Sequence, residues 1–118
     1  MSAGQIASCL VFALLLAAGQ ILFKSAAMSM PAIRSFADLG AATNVPALWA
    51  AVVLYGGATL LWIYLLQTIP LSRAYPFAAL GFVLVPAAGV LFFQEQVSGL
   101  YAAGAILIVV GLSLISQG

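Results

Sequence analysis

The chain has 118 residues, of which 66% are hydrophobic and 4% are charged, and its formal net charge is +1. A soluble domain usually carries about 25% charged residues, and the few charges of this chain cannot cover the surface of a globular domain in water. The composition excludes a soluble fold and a basic surface for nucleic acid, and it predicts an all-α membrane protein with one domain, residues 1–118, of four transmembrane helices.

The first predicted helix runs from about residue 5 to residue 28 and ends before Pro31, which cannot continue a helix. Its start lacks the Lys or Arg of a signal peptide, so we expect a retained membrane helix. Residues 31–45 combine charges with apolar residues at helical spacing, which predicts an interfacial loop. The second helix, residues 47–69, is long enough to span a bilayer at about 1.5 Å per residue.

The third predicted helix, residues 76–93, begins at Pro76, because proline is favoured in a first turn. Pro86 removes one backbone hydrogen bond within this helix and predicts a kink that opens a cleft. The fourth helix, residues 99–117, follows Ser98, a favourable N-cap. The positive charges are too evenly divided between the two membrane sides to orient the chain.

Small residues in the fourth helix predict contact with a second subunit. Gly104 and Gly111 are seven residues apart, so they share one helix face and permit close backbone approach. Four thin helices enclose little volume, and a transport path forms more easily between two subunits. We therefore expect a dimer, and the second subunit can be identical or paralogous.

The polar residues inside the spans are few. Gln20 and Lys24 are four residues apart and share a helix face. No acidic residue lies within ten positions of Lys24, so its ammonium either snorkels to headgroup depth or meets an anionic ligand. Other side chains near span ends that could contact a ligand are Trp62, Tyr64, Gln67, Arg73, Tyr75 and Glu95.

Nothing in the sequence indicates catalysis. Cys9 is the single cysteine, it lies in an apolar stretch, and the chain has no histidine. A small apolar filler is the favoured interpretation of such a cysteine. No ATP-binding motif, metal site or nucleophile constellation is present, so we predict a protein that is not an enzyme and needs no cofactor.

Four strings in this order and spacing point to a family: "AGQILFK", "LLQTIPLSRAYP", "QEQVS" and "GAILIVVGL". With them the chain resembles the small four-helix branch of the drug/metabolite transporter superfamily, a small multidrug resistance-like or EamA-like bundle. The resemblance is greatest to the subunits of the 4-amino-4-deoxy-L-arabinose-phosphoundecaprenol flippase. It implies four transmembrane helices, dimers, and movement of a polyprenyl-phosphate-linked sugar across the bacterial inner membrane.

The small multidrug resistance transporters are the first alternative. Their proton- and cation-binding site depends on a glutamate in the first helix, and matching Gly19 and Lys24 places Leu16 at that position. Leucine offers neither a counter-charge for a cationic drug nor a titratable group for proton coupling. A proton-coupled exporter is therefore less favoured. The second alternative is a structural subunit of a membrane glycosyltransferase.

A lipid phosphate suits the cations of this chain. Lys24 and Arg73 lie near span ends, where arginine can bind phosphate with two parallel hydrogen bonds and lysine acts as a point charge. The helix N-terminus expected at Pro76 would also favour an anion. Lys24 and Arg73 fall at opposite membrane faces if the helices run straight. Either the two cations act at the two ends of a transport path, or only one of them binds phosphate. The side chains that could face the sugar are Trp62, Tyr64, Gln67 and Tyr75.

The sequence thus leads to one main hypothesis, a flippase subunit for a lipid-linked sugar phosphate. Lys24 with Gln20 would engage the phosphate, and Tyr75 with Pro76 would shape the entrance at the third helix. An amino sugar would require an acid nearby, and Glu95 is the one acid close to a span.

Overall fold

The computed structural model describes residues 2–118, which form four membrane-length spans and two short 3-10 helices. Three spans are single helices: α1 (Ala3–Ser29), α2 (Pro46–Leu66) and α5 (Gly99–Gln117). The third span, Leu71–Phe93, consists of α3 (Leu71–Ala74), a 3-10 helix (Tyr75–Leu80) and α4 (Gly81–Phe93). The other 3-10 helix, Phe36–Asn44, lies in the loop before α2. No strand occurs in residues 2–118, which confirms the predicted all-α class with four spans.

The third span begins at Leu71, five residues before the expected start at Pro76. Pro70 precedes the span as its N-cap, with φ −57° and an extended ψ of 141°. Pro76 therefore lies inside the span, in its 3-10 segment, and not at a free helix N-terminus. Since proline has no N–H for the usual bond to the preceding turn, the backbone tightens there from α to 3-10 geometry.

The other helix ends have identifiable causes. Ser98 caps α5 as expected, because its hydroxyl accepts a hydrogen bond from the Tyr101 amide at 3.1 Å. α1 ends at Ser29, two residues before Pro31. α2 begins with Pro46 in its first turn.

α1 is the central element of the bundle. It packs antiparallel against α2 and also contacts both the 3-10 segment and α4 of the third span. α5 packs mainly against the third span. Polar groups on α1 are therefore brought against two other spans, while most of α5 remains exposed.

The apolar core lies toward one end of the bundle. It joins the first half of α1 to the last half of α2 and the start of the third span, with buried side chains from Cys9, Phe12, Ala58, Leu65, Ile69, Ala74 and Phe77. Because the spans alternate in direction, Lys24 and the end of α4 fall toward the other end of the bundle.

The outer surface of the bundle is apolar. Leu60, Leu91 and Leu100 are each at least 70% exposed, and many other large aliphatic side chains also point outward. Such a surface is unfavourable in water and matches lipid tails. The chain is therefore a multi-pass membrane protein.

Candidate functional site

Three neighbouring cavities lie between α1, the third span and the start of α5. The central cavity (about 330 Å³) is lined by Leu16, Ala17, Gln20, Tyr55, Ala78, Gly81, Phe82, Val85, Pro86 and Tyr101. The Lys24 cavity (about 360 Å³) shares Gln20 and Val85 with it and adds Lys24, Gly89 and Glu95 among others. The Ser98 cavity (about 500 Å³) lies beside Val85, Pro86, Glu95 and Tyr101. Val85 lines all three, so they adjoin one another around that side chain.

Tyr55 joins α2 to α1 at the central cavity. Its hydroxyl accepts a hydrogen bond from the Gln20 side-chain amide and donates to the Leu16 carbonyl at 3.4 Å. The ring lies directly against Gly19, where a Cβ atom would overlap it, and it also packs against Phe23 with ring centroids 5.1 Å apart. The glycine thus allows the aromatic ring to approach α1, which orients Gln20 toward the cavities.

Pro86 frees a backbone acceptor that Tyr101 then uses. An α-helical N–H at position 86 would bond the carbonyl of Phe82, and proline has none. The Tyr101 hydroxyl donates to that carbonyl at 3.2 Å. The hydrogen bond attaches α5 to the third span beside the central cavity, and the Phe82 carbonyl thereby gains a side-chain donor in place of the missing backbone one.

Lys24 has an acidic partner that is 71 residues away in sequence. Its Nζ lies 3.7 Å from Oε2 of Glu95, and both side chains are about half-exposed, at 48% and 49%. This is the one ion pair formed within residues 2–118. The two charges lie on the wall of the same cavity, five residues before the end of α1 and just after the end of α4.

The turn after α4 holds the Glu95 carboxylate in place. Gln94 adopts the left-handed conformation (φ 54°), a geometry that usually requires glycine or asparagine. The Glu95 amide then bonds back to the Gly89 carbonyl at 3.2 Å. The carboxylate folds over Gly89, where a Cβ atom would overlap Oε1.

The remaining predicted ligand-contacting residues are not in these cavities. Trp62 stacks on Phe12 with centroids 4.7 Å apart and meets Tyr75 edge-on at 6.5 Å, toward the core end of the bundle. Arg73 and Gln67 are exposed near that end, and Tyr64 is 67% exposed on the outer surface. The structure thus gathers Gln20, Lys24 and Glu95 and separates them from the other five.

The chain is 41% identical over 106 residues to the probable 4-amino-4-deoxy-L-arabinose-phosphoundecaprenol flippase subunit ArnE of Aeromonas hydrophila, covering 90% of this chain and 91% of that protein. The chain belongs to this family of flippase subunits. The ArnE protein of Photorhabdus laumondii is 36% identical over 108 residues, covering 91% of both chains. That of Aeromonas salmonicida is 49% identical over 70 residues, a match that spans 59% of this chain and 61% of the relative. No family model and no solved structure matches the chain.

Family membership confirms the resemblance drawn from the four sequence strings. The position matched to the glutamate of the small multidrug resistance transporters is Leu16, and it lines the central cavity. At Leu16 this cavity has an apolar side chain and a backbone carbonyl that accepts a hydrogen bond from Tyr55.

Two polar residues of the central cavity, Tyr55 and Tyr101, were not among the predicted site residues. Tyr55 belongs to a stripe of polar and aromatic side chains on α2, and Tyr101 follows the Ser98 cap by one turn. The sequence signal for Tyr101 was available: a proline in the third span implies an unpaired carbonyl, and a tyrosine near the start of the next span can reach it. The signal for Tyr55 was Gly19, whose small size implies close approach by another helix.

Proposed function

We propose that this chain is a subunit of a bacterial inner-membrane flippase that moves a polyprenyl-phosphate-linked amino sugar across the bilayer. No covalent bond forms or breaks in that process, so the protein acts as a transporter and not as an enzyme. Family membership supports this function. The observation that carries the site assignment is that Lys24 and Gln20 line one cavity at the end of otherwise apolar spans.

The phosphate would bind at Lys24. Lys24 lies five residues before the end of α1, so its long side chain can snorkel to the depth of lipid phosphates. Charge-assisted hydrogen bonds to phosphate are stronger than neutral ones, and they strengthen where water is scarce. Gln20 adds a neutral hydrogen-bonding group one turn deeper, already oriented by Tyr55. Together the two side chains could hold phosphate oxygens without a second cation.

The lipid tail would follow the apolar wall of the central cavity. That wall is formed by side chains such as Leu16, Phe82 and Val85, and the cavity is open to its surroundings. A polyprenyl chain has to remain in hydrocarbon while its headgroup crosses, and an open groove between helices allows this. A transporter of small cations would instead require a carboxylate in the central cavity, and none lines it in the described residues.

The opposite end of the path would use the second group of predicted residues. Arg73 lies in the first turn of the third span, two residues before Tyr75, whose ring contacts Trp62, and this end of the bundle is the one away from Lys24. Gln67 follows the end of α2 at the same end of the bundle. Aromatic rings stack on sugars, and arginine binds phosphate. We propose that these residues receive or release the headgroup there, with Pro76 shaping the 3-10 segment next to them. Tyr64 would face lipid.

A second subunit would cover the exposed face of α5. Nothing lies within 4 Å of a Cβ atom built on Gly104 or Gly111, so that face is open in the single chain. Backbones can approach closely at such a face. The second subunit is an identical or a paralogous chain, and the names of the relatives describe subunits of a flippase.

The test is transport of the lipid-linked amino sugar by proteoliposomes that contain the chain and any subunit that co-purifies with it. Lys24→Ala is expected to lower transport by about tenfold or more, since a hydrogen bond to a charged group is worth roughly 1.5–3 kcal/mol. Lys24→Arg should restore part of it. Arg34→Ala removes a cation from the interfacial loop outside these cavities and should leave transport near the wild-type rate.

Native mass spectrometry of the purified protein supplies the independent readout. A co-purified polyprenyl-phosphate sugar is expected with the wild-type chain and much less of it with Lys24→Ala. Unchanged transport by a well-inserted Lys24→Ala protein would refute the site assignment. Binding of hydrophobic cations in place of lipid phosphates, or co-purification with a glycosyltransferase and no lipid, would refute the function.

A further inference from the structure

The position of Glu95 is a difficulty for a simple phosphate site. Any phosphate that reaches the Lys24 ammonium also approaches the Glu95 carboxylate, because the two groups are only 3.7 Å apart. Two anions at that range repel each other, and the repulsion is stronger near a membrane than in bulk water. A plain anion would therefore bind less well here than it would to Lys24 alone.

The carboxylate is also specifically positioned. The left-handed Gln94 turns the chain back, the Glu95 amide bonds to the Gly89 carbonyl, and the side chain rests where Gly89 has no Cβ atom. The turn and the backbone bond are common at helix ends, whereas the space left at Gly89 and the nearby Lys24 ammonium concern the Glu95 side chain itself. All of these features act on the position of the carboxylate. They hold the acid over the cavity wall and beside Lys24.

The ligand that suits both charges is one that carries both signs. In such a complex the phosphate would pair with Lys24 and the protonated amine with Glu95. Two ion pairs with the ligand would replace the one pair within the protein, and the phosphate would no longer face an unpaired carboxylate. Both side chains are about half-exposed, so neither has to leave a buried position for this exchange. The arrangement of the cavities is consistent with two separate binding positions, because Glu95 lines both the Lys24 cavity and the Ser98 cavity, whereas Lys24 lines only the Lys24 cavity.

We infer that Glu95 is a specificity-determining residue that binds the protonated amine of the substrate sugar, with the Lys24–Glu95 ion pair opening as Lys24 takes the phosphate. The sugar would lie in the Ser98 cavity and the phosphate in the Lys24 cavity. This inference rests on the proposed function. It adds that the site selects lipid phosphates with a free amine over those whose amine is acylated or absent.

The experiment measures binding of three lipids to the purified complex in nanodiscs by native mass spectrometry. The probes are undecaprenyl phosphate carrying the 4-amino sugar, the same lipid with the amine N-acetylated, and undecaprenyl phosphate itself. The wild-type protein should prefer the free amine to the acetylated lipid by about tenfold or more, as expected for a lost charge-assisted pair. Glu95→Gln should reduce that preference to less than about twofold while still binding the acetylated lipid as well as, or better than, the wild type.

Two further variants separate recognition from structure. Glu95→Asp keeps the charge and should keep part of the preference. Gly89→Ala displaces the carboxylate without removing it and should reduce the preference as Glu95→Gln does. Gly99→Ala is the matched control, because a Cβ atom there meets nothing within 4 Å.

The outcomes are distinguishable. If the wild-type protein binds all three lipids equally, or if Glu95→Gln weakens binding of the free-amine and acetylated lipids by the same factor, the assignment of Glu95 is refuted and the proposed function stands. Retention of the full amine preference by Glu95→Gln refutes it as well. If the wild-type complex binds none of the three lipids, the proposed function fails, and this inference fails with it.

Discussion

The Tyr101 hydroxyl donates a hydrogen bond to the carbonyl of Phe82, the one acceptor that Pro86 leaves without its helical donor. This relationship joins a proline in the third span to a tyrosine in the fourth. In a bilayer a free carbonyl is costly, so the tyrosine both satisfies the backbone and attaches α5 to the third span.

Tyr101→Phe is expected to destabilise the protein by about 0.6 kcal/mol, the average for hydrogen bonds between membrane helices, and by no more than about 1.7 kcal/mol. Pro86→Ala restores a backbone donor to Phe82, so the same tyrosine substitution should cost less in that background. The measurement is a double-mutant cycle on the free energy of unfolding in detergent micelles. Strictly additive effects would show that the tyrosine does not act through this carbonyl.

Gly19→Ala should destabilise the contact between α1 and α2. The added methyl would overlap the Tyr55 ring, and overpacking of this kind costs about 1–3 kcal/mol. Displacement of the ring also breaks the bond to Gln20, so lipid binding should weaken as well. Thermal unfolding and native mass spectrometry measure the two effects. Gly57→Ala is the control, since its Cβ atom would meet nothing within 4 Å. Equal losses of thermal stability and of lipid binding in the two variants would contradict the proposed contact.

Bulky substitutions on the glycine face of α5 should weaken association with the second subunit. Gly104→Leu and Gly111→Leu add side chains to a face that is open in the single chain, so their effect on the fold of one subunit should be small. The subunit dissociation constant, measured by single-molecule photobleaching in vesicles, should rise by about tenfold or more if the glycines pack at the interface. Ser113→Leu adds the same bulk near the opposite side of α5 and should change it little. A larger effect of the serine substitution would place the interface elsewhere.

Gln94 offers a prediction about backbone conformation. Its left-handed geometry (φ 54°) costs roughly 1 kcal/mol for a residue with a side chain. Gln94→Gly should therefore leave stability unchanged or raise it by up to about 1 kcal/mol, whereas the β-branched Gln94→Val should lower it by more than that. Chemical unfolding of the purified protein provides the comparison. Tolerance of valine would show that the turn after α4 is not left-handed.

The site could be predicted from the sequence only in part. Gln20 and Lys24 were found because a helix places residues four apart on one face. Glu95 was recognised as an acid near a span, but its contact with Lys24 could not be deduced from residues 71 apart in sequence. Lys24 and Arg73 were already expected at opposite membrane faces, and the antiparallel spans also place Trp62 and Tyr75 toward the end away from Lys24.

The sequence by itself determined that the protein lies in a membrane, that it is helical and that it has four spans. Hydrophobic composition and helix-ending prolines act locally, so these features do not depend on which helices pack together. It also carried the likeness to the flippase subunits. The tertiary structure alone decided which polar groups meet: Lys24 with Glu95, Gln20 with Tyr55, and Tyr101 with the Phe82 carbonyl. The reason is physical. Almost every face of these helices is apolar, so hydropathy cannot predict which face of a helix packs inside the bundle. The packing is decided by small residues and by the few polar groups that need hydrogen-bonding partners away from water.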